Sequence, residues 1–267
     1  MDESLYKDMM KEMLMEVDYV PKLNETQKFL DKLHGPKFIS DSPLADLKRV
    51  SQLPLSHPCR KYVDSRMIPV KLHFRLFYCP KFYAWTNEMI SGKFSEKALI
   101  HDGPRLVIPF IDRSDLFYGY QGRALDSKDE IRYISILLDE DKPRVYGLDT
   151  VDFNKQYFCL EGPIDSMFVP NSLASAGGDI VSELSKLKSN KENAVILYDN
   201  EPRNKDTVKK LERAVTLGYK VVCWPENIAE KDVNAMILAK MNPLEIIKTN
   251  IHSGLEAKLR ISTWKRT

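Results

Sequence analysis

Four apolar runs in the second half of the chain, at residues 156–160, 172–176, 194–198 and 219–224, are separated by stretches with helical periodicity. Strands whose connections each carry a helix run side by side rather than in hairpins, so the pattern predicts a parallel sheet with crossover helices. Such a sheet holds its ligand beyond the carboxyl ends of its strands. Chemistry in this half should therefore sit in the residues that follow each run.

Acids fall at those places. The first run leads into Glu161-Gly162-Pro163-Ile164-Asp165, the third into Tyr198-Asp199-Asn200-Glu201, and the fourth is followed by Glu226, Glu230 and Lys231-Asp232-Val233-Asn234. Gly162 and Pro163 suit a tight turn that opens a helix, and the step from Glu161 to Asp165 lets both acids face one site. A lone Asp at a strand end is most often a solvated loop residue or a helix cap. Three groups at successive strand ends, brought to one edge, repel one another unless a cation neutralises them. Oxygen ligands without His or Cys point to Mg²⁺ or Mn²⁺, with a pair of ions the expectation. The candidate ligands are Glu161, Asp165, Asp199, Glu201 and Asp232.

Charge as a whole says little: 40 Lys and Arg against 38 Asp and Glu leave a formal +2 in 267 residues, so nucleic-acid affinity has to come from segregated patches. Hydrophobic residues make up 43% of the chain, enough for one large or two small cores. Nothing approaches the roughly 18 apolar residues of a membrane span, and the charged, Met-rich start does not resemble a signal peptide. Cys59, Cys79, Cys159 and Cys223 show no close pairing. With His57 and His73 nearby, the first two still lack the Cys-x-x-Cys spacing of a structural zinc site, so core packing is expected. A reducing cytoplasm is the expected setting. No Gly-x-x-x-x-Gly-Lys loop is present, which excludes a P-loop motor in this chain.

The first half divides at its prolines. Apolar positions across residues 3–33, broken at Pro21, predict two short helices, and residues 34–58 form a Pro-rich linker. From Lys61 to about Leu148, helical pieces alternate with β-rich pieces such as 106–111 and 117–120, a mixed α+β unit. Arg105, Arg123, Arg132 and Arg144 lie on or beside those β-rich pieces. They are candidates for phosphate contacts, with Tyr120 and Tyr133 as faces for stacked bases.

Residues 156–240 resemble a Toprim domain, the module shared by bacterial-type primases, topoisomerases and some nucleases. The resemblance implies that Glu161 is the catalytic Glu, Asp199 and Glu201 the Asp-x-Asp pair, and Asp232 the later acid. Glu201 stands where Asp is usual, and Asn234 where an acid often occurs. The preceding order, from His57-Pro58-Cys59 through Arg105-Leu106-Val107, Gly119-Tyr120-Gln121-Gly122-Arg123, Arg132-Tyr133 and Arg144-Val145-Tyr146, is similar to the basic subdomain ahead of Toprim in primases. In all the resemblance covers about residues 55–265 and is closest to tailed-phage members.

The expected architecture is thus a helical segment and linker at 1–54, a basic α+β subdomain at 55–150, and an α/β Toprim domain with a C-terminal extension at 151–267. The implied activity is metal-dependent synthesis of RNA primers on single-stranded DNA from ribonucleoside triphosphates. Glu161, Asp199 and Asp232 would be catalytic, and Arg105, Arg123, Arg132, Tyr133 and Arg144 would hold nucleic acid or nucleotide. Glu161 could act as general base or as metal ligand. The zinc ribbon usual ahead of such cores has no counterpart here, so a missing upstream segment, a zinc-ribbon partner or the replicative helicase is expected to supply that contact. A Toprim nuclease would use the same acids to cut a phosphodiester, and a non-catalytic adaptor would bind single strands without needing them. A topoisomerase would require a strand-passage domain for which there is little room.

Overall fold

The structure, a computed structural model, describes residues 42–187 and 189–266; the two helices expected within 3–33 lie outside the described residues. Two sheets organise what is described. The first is antiparallel, in the order β1 (Lys48–Arg49), β2 (Phe77–Cys79), β3 (Arg105–Ile111), β4 (Phe117–Ala124) and β5 (Tyr133–Leu137). The second has the order β11 (Ile251–His252), β10 (Lys220–Val222), β9 (Ala194–Ile196), β7 (Tyr157–Leu160), β8 (Ser172–Ser175) and β6 (Val145–Tyr146). Its four central strands run parallel, and β6 and β11 close its edges antiparallel.

All seven residues of β3 are buried because the first sheet is covered on both faces. Leu106, Ile108 and Phe110 join the large core shared with the second sheet, while Val107 joins Phe77, Phe82, Trp85 and Tyr120 in a smaller cluster beneath the other face. The approach of the helix Phe82–Met89 to β4 is close: a Cβ on Gly122 would lie 2.2 Å from the Phe82 ring, so only glycine fits there.

Two boundaries differ from the sequence reading. Val145 and Tyr146 pair with β8, so the second sheet begins ahead of residue 151. Its two-residue strand is too short to show a period. At the other end, Lys48 and Arg49 pair with Tyr78 and Phe77, so part of the Pro-rich linker is an edge strand of the first sheet. Tyr120 is corrected as well. It is fully buried, its hydroxyl donating to Thr86 Oγ1 at 2.8 Å, and it offers no face to a base.

Each cysteine is a buried free thiol, and burial pushes Cys59 and Cys79 up to about 12. The nearby histidines are engaged in local structure. His57 Nδ1 accepts from the Cys59 backbone at 3.2 Å, and His73 Nε2 lies 2.9 Å from the Ile68 carbonyl.

Candidate functional site

Glu161 follows β7 directly, at the turn where Gly162 and Pro163 open the helix Pro163–Ser166. Asp165 lies on that helix, and a Cβ at Gly162 would come within 2.9 Å of its Oδ2, so the glycine leaves room for the carboxylate. Asp199 follows β9. Asp232 caps the helix Val233–Leu238, its side chain accepting from Ala235 N at 2.7 Å. The capping geometry and a place in the site coexist, since one carboxylate offers more acceptor positions than a cap uses.

These four carboxylates line one cavity of about 300 Å³, together with Gly162, Lys231 and, from the first sheet, Gln121 and Tyr133. Parallel strands bring the β7 and β9 ends together; the β10 side is drawn in by Asn200. Its side-chain amide donates to the carbonyls of Ile228 and Glu230 at 2.9 and 3.1 Å, its backbone N–H donates to Lys231 O at 2.6 Å, and its Oδ1 accepts from Trp264 Nε1 at 3.0 Å. No spacing rule marks Asn200 in the sequence, because its four partners come from two distant segments, the loop after β10 and the C-terminal helix.

Crowding is visible in the acids' proton affinities. Burial first, then the charges of Asp165 and Glu161, push Asp199 up to about 7, against the opposing pull of Lys231. Burial and the neighbouring Asp232 push Asp165 up to about 6, although its Oδ1 accepts the Asn234 backbone N–H at 2.8 Å. Two lysines supply part of the counter-charge. Lys210 Nζ donates to Glu161 Oε1 at 2.6 Å, and Lys231 Nζ sits 2.9 Å from Glu201 Oε1 and 3.7 Å from Asp199 Oδ2. Lys210 was invisible as a partner of Glu161 because it arrives on the helix Lys205–Thr216 from 49 positions away.

The five-carboxylate ligand set expected from sequence is not gathered as such. Glu201 stands outside the cavity lining. Burial alone would raise its pKa, but hydrogen bonds from Lys231, Asn204 and Thr207 hold it below the ordinary carboxylate range. Among the described residues no three acids, histidines or cysteines are preassembled as a metal-ligating group. The side chains instead satisfy a helix cap, a backbone amide and two ammonium groups.

The basic candidates separate in the same way. Arg123 and Tyr133 are directly opposed on β4 and β5, with the guanidinium 4.6 Å from the centre of the half-exposed Tyr133 ring. Arg123 is itself buried, its Nε donating to Tyr62 Oη at 3.0 Å, and among the described residues its Nη1 has no hydrogen-bond partner. Arg132 is exposed immediately before β5. Arg105 is a correction: it is 1% exposed, donates to Asp129 Oδ2 at 2.5 Å and Ile131 O at 2.8 Å, and packs over Phe82 and Tyr83. A guanidinium enclosed in this way supports the first sheet and cannot reach a phosphate. Arg144 lies beside the edge strand of the second sheet, its backbone N–H donating to Glu183 Oε2 at 2.9 Å, and it is not among the residues that line the cavity.

Comparison with known proteins gives a consistent outcome. The chain is 33% identical over 247 residues to the DNA primase of Enterobacteria phage T4, an alignment that takes in 91% of this chain and 70% of that protein. No family model matches. Among solved structures, a DnaG primase catalytic domain bound to single-stranded DNA aligns with a TM-score of 0.59 at 15% identity, over 90% of this chain and 84% of that one. A DNA primase domain from Pseudomonas aeruginosa aligns with a TM-score of 0.55 at 13% identity, over 74% and 73%. At these identities the structural likeness speaks for the fold.

Proposed function

Since this chain belongs to the bacterial and phage type of DNA primase and makes RNA primers, we propose that its chemistry runs in the cavity between the second-sheet carboxylates and the β4–β5 face. The observation that carries this reading is the convergence of Glu161, Asp165, Asp199 and Asp232 on one wall, with Gln121 and Tyr133 lining the same space. In this reading the parallel half is a Toprim domain, and the antiparallel half is its basic subdomain.

The donor set fits divalent metal. It is all oxygen, it is buried enough to push Asp199 and Asp165 upward, and its nearest counter-charges are two lysines at its margin. The lack of a preassembled group is compatible with Mg²⁺ in particular, which usually takes one or two carboxylates and completes its shell with water and substrate phosphate. Glu161, Asp199 and Asp232 would hold it, with Asp165 behind them. Bound there, the cation would neutralise the triphosphate and stabilise charge on the transferring phosphoryl group.

The chain's own groups do the rest. Burial and the neighbouring acids raise the proton affinity of Asp199 in the cation-free protein, and positive charge entering the cavity favours its ionised form. Lys210 orients Glu161 through its hydrogen bond to Oε1. Lys231 is within reach of both Asp199 and Glu201, so it can follow the negative charge of an entering triphosphate. Tyr133, backed by the Arg123 guanidinium, offers a base-stacking face, and the exposed Arg132 beside it takes a phosphate of the single-stranded DNA template. Ribonucleoside triphosphates are the other substrate, and a helicase or zinc-ribbon partner would assist template engagement.

Among the described residues no helix is long and apolar enough to cross a membrane. We place the protein in the cytoplasm, the host's if a phage encodes it.

The reading is tested by labelled ribonucleotide incorporation on single-stranded DNA with Mg²⁺, with EDTA, and with Asp199→Asn. Synthesis is expected only from the unaltered protein with Mg²⁺. Undiminished synthesis by Asp199→Asn would move the chemistry elsewhere.

A further inference from the structure

β4 and β5 present a polar quartet on one face. Gln121 and Arg123 are two apart on β4 and so share a side; opposite them on β5 stand Ser135 and Tyr133. Gln121 and Tyr133 line the same cavity as the carboxylates. Gln121 is 4% exposed, and its Nε2 donates to Ser135 Oγ at 3.1 Å, but among the described residues its Oε1 has no hydrogen-bond partner. A buried amide oxygen left unpaired is costly, and native proteins seldom keep one without a use.

The missing partner must be a donor. Triphosphate oxygens accept hydrogen bonds, so the phosphate end of a nucleotide cannot satisfy Oε1; those oxygens belong beside the lysines and carboxylates. Amino groups on the base differ among the four nucleotides, and uracil carries none. Sugar hydroxyls are donors common to all four, and the 2′-hydroxyl is the group that distinguishes a ribonucleotide from a deoxyribonucleotide. The terminal torsion of glutamine is broad, so a small turn brings Oε1 forward while the amide stays within reach of Ser135.

We infer that Gln121 is the sugar-selecting residue of this primase, its side-chain carbonyl accepting a hydrogen bond from the ribose 2′-hydroxyl of the incoming nucleotide. The inference rests on the cavity being the nucleotide site. It adds a specificity that the carboxylates, which touch only the phosphate end, cannot provide. A site built to pair a substrate hydroxyl disfavours the analogue lacking it, because the buried polar group is then left alone.

The test is extension of an RNA primer on a DNA template by the full chain with Mg²⁺, comparing ATP with its 2′-deoxy, 2′-fluoro-2′-deoxy and 3′-deoxy analogues. Fluorine accepts but cannot donate. The expected order of kcat/KM has 2′-fluoro grouped with 2′-deoxy, both well below ATP, and 3′-deoxy close to ATP. In Gln121→Met, which keeps the length and removes the acceptor, the preference for ATP over 2′-deoxy-ATP should fall by about tenfold, the size of one hydrogen bond. Use of 2′-fluoro as readily as ATP, discrimination against 3′-deoxy instead, or an unchanged preference in Gln121→Met would overturn the assignment. Should Gln121→Met fail to fold, the analogue series on the unaltered protein decides alone. Failure of the cavity as the nucleotide site would show separately, as unimpaired extension by Asp199→Asn.

Discussion

Asn234 and Arg66, 168 positions apart, exchange two hydrogen bonds: Asn234 Nδ2 donates to Arg66 O at 2.7 Å, and Arg66 Nη1 donates to Asn234 Oδ1 at 3.1 Å. Asn234 is buried, and its backbone N–H also holds Asp165. One amide thus ties the end of the helix Pro58–Ser65 to the acidic loop. An acid at this position could accept from Arg66 but could not donate to the Arg66 carbonyl. Replacing Asn234 with Leu leaves both Arg66 groups unpaired, so we expect a loss of about 1–3 kcal/mol in urea unfolding, with reduced primer synthesis. Stability within error of the unaltered protein would show that the pair does not fasten the two halves.

Asp199→Asn removes one charge from a crowded, largely buried set. In cation-free buffer at pH 8 its melting temperature should equal or exceed that of the unaltered protein, while primer synthesis is lost. A lower melting temperature would indicate that Asp199 is held mainly by its lysine neighbour.

Stability of the cation-free protein should fall as pH rises. A carboxyl whose folded pKa is raised favours the protonated form in the folded state, so its contribution is intact below about pH 4. It is lost progressively as pH climbs through about 6 for Asp165 and about 7 for Asp199. Calorimetry at pH 5 and pH 8 should therefore find the melting temperature lower at pH 8. Millimolar Mg²⁺ should restore most of that difference at pH 8 and little at pH 5. A flat profile without cation would contradict the crowding.

Arg132→Ala and Arg105→Ala should fail in different ways. Arg132 is exposed, so its loss should leave the melting temperature alone and lower the salt slope of single-stranded DNA binding by roughly 0.7, one phosphate contact. Arg105 is enclosed, so its loss should cost about 3 kcal/mol or more through its stranded partners. Binding titrations against salt, paired with unfolding curves, separate the two. Equal effects from both variants would sink the distinction.

The isolated chain should prime slowly, and a zinc-ribbon protein or replicative helicase added in trans should raise the initiation rate at least several-fold, because the proposed template contacts in this chain are the Arg132 side chain and the Tyr133 face. Initiation assays with and without the added protein measure it. A rate that no such partner changes would leave these residues sufficient for template engagement.

Much was settled along the chain itself. The four apolar runs with helices between them specified the parallel strands β7, β8, β9 and β10, and the acids behind three of those runs, Glu161, Asp199 and Asp232, do meet at one cavity, because both signals are local. Edge strands of two residues, such as β1 and β6, have no period to detect, and their membership came only from pairing. Burial decided the basic residues. Arg105, Arg123 and Arg132 look alike as letters, yet packing encloses the first, wedges the second between Tyr62 and Tyr133, and leaves the third in solvent. The partners of the acids were equally a matter of tertiary structure. Lys210 reaches Glu161, Asn200 draws the β10 loop toward Asp199, and Lys231 pairs with Glu201; each contact joins segments that no spacing rule relates, and the chain must bring those segments together before any of them exists.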